Sequence, residues 1–137
     1  TEAIKFSPLE ELANQQASRR NQIVNFALKY VGNPYVWGGT SLTKGADCSG
    51  FVQSVLRNYG ITLPRTSREQ AKVGRAINSS QMRPGDLIFY ANSSGTINHV
   101  AMYIGNGQIV HAASSKSGIK ISTWNYRRPK TIRRFLD

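Results

Sequence analysis

A chain of 137 residues, 39% apolar and 18% charged, is long enough for one domain with its own core and too short for several. No stretch approaches the length of a membrane span, no basic-then-apolar leader opens the chain, and Thr1 at its start suggests a fragment. Eighteen Lys and Arg against seven Asp and Glu give a net charge of +11, which favours a polyanionic partner, nucleic acid or an anionic cell surface, although zinc-finger, RNA-recognition and P-loop signatures are all lacking.

Ser7-Pro8-Leu9-Glu10 reads as a capping box with proline in the first helical position, so a helix is expected to start there. A second amphipathic pattern follows at Ile23, Val24, Ala27, Leu28 and Val31, and the two are either one long helix or a pair broken near Ser18. Gly32-Asn33-Pro34 ends the helical region. Tyr35-Val36-Trp37-Gly38-Gly39 then joins aromatic residues to paired glycines, either an aromatic-anchored turn or a loop that shapes a site.

Asp47-Cys48-Ser49-Gly50-Phe51 holds the only cysteine and opens an amphipathic helix expected to run to about Tyr59, with Phe51, Val52, Val55 and Leu56 on its apolar face and Gly60 as its stop. Asp47 is the expected N-cap. Cys48 then falls in the first turn, where unpaired N–H groups and the helix dipole favour a thiolate. A lone cysteine forms no internal disulfide, so this thiol is either an inert small hydrophobe or a group kept for chemistry.

Leu63-Pro64-Arg65-Thr66-Ser67 leads into a short helix capped by Thr66 or Ser67, and Arg83-Pro84-Gly85-Asp86 forms a turn. Beyond it the period becomes that of strands, at Leu87 to Tyr90, His99 to Ile104, Gln108 to Ala113, Ile119 to Ser122 and Thr131 to Leu136. Helices first and a meander of strands afterwards argue for an α+β domain with an antiparallel sheet and the helices packed on it. Arg127, Arg128, Lys130, Arg133 and Arg134 crowd the end of the chain, as a solvated basic edge or as a dedicated site.

Both histidines, His99 and His111, fall on the hairpin whose strands meet at Gly105-Asn106-Gly107. A two-residue turn at Asn106-Gly107 would pair Gly105 with Gln108 and put the histidines on opposite faces. A three-residue loop with Gly107 in a G1 bulge would pair Ile104 with Gln108 and set them on one face, one diagonal step apart. That second arrangement also leaves Ala101 and Ala113 on the histidine face, small enough for the helix carrying Cys48 to approach there. A thiol, an imidazole and a third polar group in this chain order suit nucleophilic catalysis on an amide. The competing use of the same atoms is a one-Cys, two-His metal site, which lacks the fourth ligand that structural zinc requires.

Taken together, the Tyr35 to Gly39 segment, Asp47 to Gln53, Leu63 to Ser67 with Gln70, Pro84-Gly85-Asp86-Leu87, and His99 to Gly105 followed by His111-Ala112 resemble the NlpC/P60 cysteine peptidases over about residues 20 to 136. The resemblance implies a papain-like α+β fold and hydrolysis of peptidoglycan stem peptides, commonly between D-γ-glutamyl and the following diamino acid. It implies Cys48 as nucleophile, His99 as general base and His111 as its orienting partner, with no metal and no cofactor. Tyr35, with the Cys48 backbone N–H, is implied to bind the oxyanion. Asp47 and Ser49 match positions that recognise substrate, particularly a free amine. Arg65, Ser67 and Gln70 match a motif of the same cleft without individual roles.

Ala101 stands where glycine is common in that family, and residues 1 to 19 lie outside the match as an N-terminal extension or linker to a catalytic domain of residues 20 to 137. The expected protein is a monomer, secreted or wall-associated, with the anionic wall as partner and neither nucleic acid nor a membrane span. A non-catalytic wall-binding module and a different amidase or acyl transferase on the same scaffold are the alternative readings.

Overall fold

The computed structural model describes residues 7–136; the first six residues of the expected N-terminal extension lie outside them. Three helices, α1 (Pro8–Leu28), α2 (Cys48–Arg57) and α3 (Ser67–Gln70), accompany a two-stranded hairpin, β1 (Thr40–Ser41) and β2 (Gly45–Ala46). A six-stranded antiparallel sheet is built from β3 (Arg75–Ala76), β4 (Leu87–Ala91), β5 (Ile97–Gly105), β6 (Gln108–Ser114), β7 (Gly118–Thr123) and β8 (Pro129–Arg134), in the order β3-β8-β4-β5-β6-β7. This is the α+β architecture that the switch of period predicts. Two-residue β3 escapes any pattern reading, and β8 begins and ends two residues earlier than its apolar pattern suggests.

α1 is a single helix. Ser7 caps it by accepting from the Glu10 N–H, and it runs through Ser18 without a break. Its outer half is exposed, and burial begins at Arg20 and continues through Ile23, Val24 and Ala27. Arg19 donates to the Tyr59 carbonyl, Tyr59 donates back to the Gln22 carbonyl, and Phe26 meets the Tyr59 ring edge-on, so α1 is fastened to the far end of α2.

α2 begins where the cap predicts and ends at Arg57, short of Tyr59, because Gly60 and Ile61 turn back onto the carbonyls of Arg57 and Leu56. Phe51, Val52, Val55 and Leu56 are fully buried. They pack with Ile23, Val24 and Ala27 against Leu87, Phe89, Val100, Met102, Val110 and Ala112 of the sheet. The other face of the sheet carries a second cluster of Ile88, Tyr90, Ala101, Ile109 and Ile132, covered by Ile77, Met82, Tyr103 and Trp124. The expectation that α2 approaches over Ala101 and Ala113 is therefore wrong. The helix needs broad apolar contact, and Val100, Met102 and Val110 provide it on the face opposite the histidines.

The loop before α2 folds tightly onto its first turn. Ser54 donates to the Thr40 carbonyl, the Asp47 N–H donates to the Gly39 carbonyl, and a Cβ added to Gly50 would collide with the Gly39 carbonyl oxygen. Gly50→Ala should force this loop away from the helix start and cost about 1–3 kcal/mol, read from thermal unfolding.

Candidate active site

The β5–β6 hairpin decides where the histidines meet. Gly105 pairs with Gln108 across a two-residue turn in which Asn106 and Gly107 have φ of 54° and 74°. The three-residue loop expected from the sequence is thus not formed. Yet Met102 pairs with Val110 and Tyr103 with Ile109, because Ile104 is an extra residue bulged out of β5 beside Gly105, whose φ is 97°. The bulge cancels the shift that the short turn would cause. His99 and His111 consequently share a face.

Their rings touch directly, with His99 Nε2 2.7 Å from His111 Nδ1, and His111 Nε2 lies 2.8 Å from Ser122 Oγ on β7. Each contact needs one donor and one acceptor. If Ser122 accepts from His111 Nε2–H, His111 Nδ1 must accept from His99 Nε2–H, which leaves His99 Nδ1 as a free base. The two facing nitrogens share one hydrogen bond, the N–H of one ring against the lone pair of the other, and among the described residues no group of three or more His, Cys, Asp and Glu is placed to hold a metal ion.

Tyr90, paired with His99 across β4, stacks at 5.9 Å from its ring, and Tyr126 lies 5.4 Å from both Tyr90 and His111. Arg127 locks this wall by donating to the Ala91 carbonyl and to Asn98 Oδ1, with its guanidinium over the Tyr90 ring. Burial holds His99 well below the ordinary imidazole range, and the charges of His111 and Arg127 push the same way; burial and Lys120 do the same to His111.

The unfolded chain, with imidazoles near 6.5, then binds more protons than the folded one at mildly acid pH. Stability is expected to fall as pH drops below 6.5, with a limiting slope of about 1.4 kcal/mol per pH unit for each histidine kept neutral. Urea melts at pH 7 and pH 5 check this, and the slope should halve in His111→Gln.

Cys48 opens α2 with most of its surface covered. Burial raises its thiol pKa and the nearby Asp47 charge adds to that, whereas backbone hydrogen bonds from Val100, Ser49 and Cys48 itself oppose it without prevailing. The helix terminus expected to favour a thiolate is opposed here by desolvation, which works in the other direction. The Val100 bond places the sulfur against the peptide group that follows His99. It is available because β5 pairs with β6 from Met102 to Gly105, short of Val100. α2 therefore lies across one face of the sheet while its first residue reaches the strand at His99-Val100.

Tyr35, bridged to Ala46, stands beside this thiol; burial raises its phenol, helped by the charges of Cys48 and Asp47. Asp47 accepts from the Gly50 and Gly38 N–H groups, from Ser49 Oγ and from both terminal nitrogens of Arg65. Burial pushes its carboxyl up, but the hydrogen bonds from Arg65, Gly50 and Gly38 outweigh that and leave it below its usual range.

A cavity of about 570 Å³ opens over Tyr35, Trp37, Asp47, Cys48, Arg65 and Arg68, with Ser49 and Ser67 in its wall. Gln70 stands behind it, donating to the Ser49 and Pro64 carbonyls and joining α3 to the first turn of α2. Ser122, Tyr126 and Arg127 complete the histidine side; the sequence pattern marks neither Ser122 nor Tyr126, and places Arg127 only within the basic run near the C-terminus. Only the β6–β7 register, which pairs Ile109 with Ser122, could have found the first of them.

The NlpC/P60 family profile matches residues 32–134. A γ-D-glutamyl-L-lysine dipeptidyl-peptidase of Bacillus cereus is 38% identical over 107 residues, covering 77% of this chain and 32% of that protein. The murein DD-endopeptidase MepS/murein LD-carboxypeptidase of Escherichia coli K12 is 44% identical over 108 residues, covering 77% of this chain and 55% of the enzyme. Among solved structures, an NlpC/P60 family protein from Bacillus cereus superposes with a TM-score of 0.81 at 35% identity, covering 86% of this chain and 40% of that one. The chain thus spans from about a third to just over half of these relatives. With the profile covering most of its length, and an α+β fold shared with the solved members, the chain belongs to the NlpC/P60 family.

Proposed function

We propose that this domain is a cysteine peptidase that hydrolyses peptidoglycan stem peptides at the bond between D-γ-glutamyl and the following diamino acid. The observation that carries the reading is a half-buried thiol at a helix start, lining the cleft beside the His99-Val100 peptide group, with a His99–His111–Ser122 hydrogen-bond chain that leaves one imidazole nitrogen free. His99 Nδ1 takes the thiol proton as Sγ attacks the scissile carbonyl. The oxyanion is held by the Cys48 N–H and the Tyr35 hydroxyl, and collapse expels the amine with the proton from His99. Water, deprotonated by the same nitrogen, then cleaves the thioester and restores the thiol. His111 fixes the tautomer and shares the positive charge while it lasts.

Asp47, Ser49, Arg65 and Ser67 line the acyl side of the cleft. A free amine arriving there meets a carboxylate already shared with Arg65, which favours stems whose N-terminus is in amide linkage. The domain acts as a monomer, outside the cell or at the wall. No helix among the described residues is long and apolar enough to cross a membrane.

Mass spectrometry of purified peptidoglycan after digestion tests the proposal, using walls with meso-diaminopimelate and walls with lysine. Fragments ending in D-isoglutamate, matched by new N-terminal diamino acids, are the expected products. Stems left intact on both walls would refute it, and cleavage elsewhere in the stem would refute the bond assignment.

A further inference from the structure

Of the five basic residues near the C-terminus, Arg127 and Arg134 are committed to the fold, the first to Ala91 and Asn98, the second to Asp86 and Gln81. Arg128 and Lys130 are exposed. They edge a second cavity, of about 390 Å³, between the Ile77–Ser79 segment and the β7–β8 connection. It shares no residue with the Cys48 cleft and has no carboxylate in its lining.

Trp124 forms part of its wall and is held at both backbone groups, its N–H on the Gly107 carbonyl and its own carbonyl accepting from the Tyr90 hydroxyl. Ile77 and Ile132 add apolar surface, and Asn78 and Thr131 add hydrogen-bonding groups. An indole on a backbone held at both sides, beside apolar and amide groups, suits one face of a sugar ring, and two exposed cations suit an anionic substituent on that sugar. A polyanion without rings would have use for the cations alone.

We propose that this cavity is a binding site, separate from the Cys48 cleft, for a saccharide carrying a carboxylate or a phosphate. The anion pairs with Arg128 and Lys130, and the ring packs on Trp124. Such a site would hold the domain on a wall polymer independently of any peptide in the cleft, and nothing in it depends on the assignment of Cys48. The carboxylate would come from the lactyl group of a glycan strand stripped of its stem peptides, the phosphate from a phosphodiester-linked wall polymer.

The two tryptophans of the chain allow a direct test, because Trp37 lies in the Cys48 cleft and Trp124 in this cavity. The indole N–H resonances of ¹⁵N-labelled protein are followed during titration with N-acetylglucosaminyl-N-acetylmuramic acid, with N-acetylglucosamine 1-phosphate, and with neutral chitobiose. The expected result is a saturable shift of the Trp124 resonance with at least one anionic saccharide, the one that acts naming the source. Arg128→Gln/Lys130→Gln should weaken that binding at least tenfold. Because both side chains are exposed, the variant is expected to fold as the parent does. A response confined to Trp37, equal binding of chitobiose, or undiminished binding by the double variant would each overturn the proposal.

Discussion

Cys48→Ala is expected to abolish stem-peptide cleavage, and His99→Ala to lower kcat/KM by about 10²- to 10⁴-fold, the range of a general base in proton transfer. The effects should not add, because the imidazole acts on the thiol itself, whose pKa burial and Asp47 raise. His111→Gln should be milder than His99→Ala, since glutamine can still accept from His99 Nε2–H while losing the imidazole's capacity to share charge. The acid limb of kcat/KM in the parent is expected well below the ordinary imidazole value of 6.5, because burial, His111 and Arg127 all disfavour protonation of His99. Steady-state rates on a soluble stem peptide, with circular dichroism to confirm folding, check these expectations. Cleavage by Cys48→Ala within tenfold of the parent would remove the nucleophile assignment.

The second large effect is on stability. Asp86 is fully buried and accepts from the Arg83 N–H, from Arg20 Nη1 at 3.0 Å and from Arg134 Nη2 at 2.9 Å. Arg20 also reaches the Pro84 and Leu136 carbonyls, so this one carboxylate joins α1, the turn before β4 and the end of the chain. Asp86→Ala would remove the buried carboxylate that Arg20 and Arg134 share, at an expected cost of about 3–5 kcal/mol. In a chain of this length that lowers Tm by more than about 10 °C. By contrast Arg65→Ala, at the more exposed Arg65–Asp47 pair, should cost about 1 kcal/mol or less. Calorimetry of the two variants against the parent compares them directly, and an Asp86→Ala loss below about 1 kcal/mol would contradict the account.

Much of this arrangement is legible in the chain because it rests on local rules. Asp47 announces the start of α2 through the geometry of its cap, and the apolar spacing from Phe51 to Leu56 announces its buried face. The period-two runs after Leu87 announce the sheet. What stays hidden depends on groups that are distant in sequence. Gly105, Asn106 and Gly107 all tolerate positive φ, so a two-residue turn with a bulge and a three-residue loop read alike, and only the β5–β6 ladder separates them. The protonation of Cys48 turns on how deeply the first turn of α2 is covered, which no spacing encodes. Arg127 and Arg134 look like members of a charged edge until Asn98 and Asp86 come within reach, and Ser122 acquires a role only through a strand that pairs with β6.

The bulged Ile104 makes the hairpin a parity device. The extra residue reconciles a two-residue turn with the Met102–Val110 pair, so the meeting of His99 and His111 depends on turn length and bulge taken together. Deleting Ile104 would remove the bulge and let a regular ladder run from Gly105–Gln108 through Tyr103–Ile109 to Met102–Val110 with both imidazoles on one face, whereas straightening the bulge with Ile104 kept would pair Met102 with His111 and send His99 to the far side. A two-residue insertion at the tip would lengthen the hairpin and leave the pair intact. The histidine pairing thus tolerates the gain or loss of two residues, and of one only where a bulge is made or removed with it, a constraint that a residue-by-residue comparison of the two strands would miss.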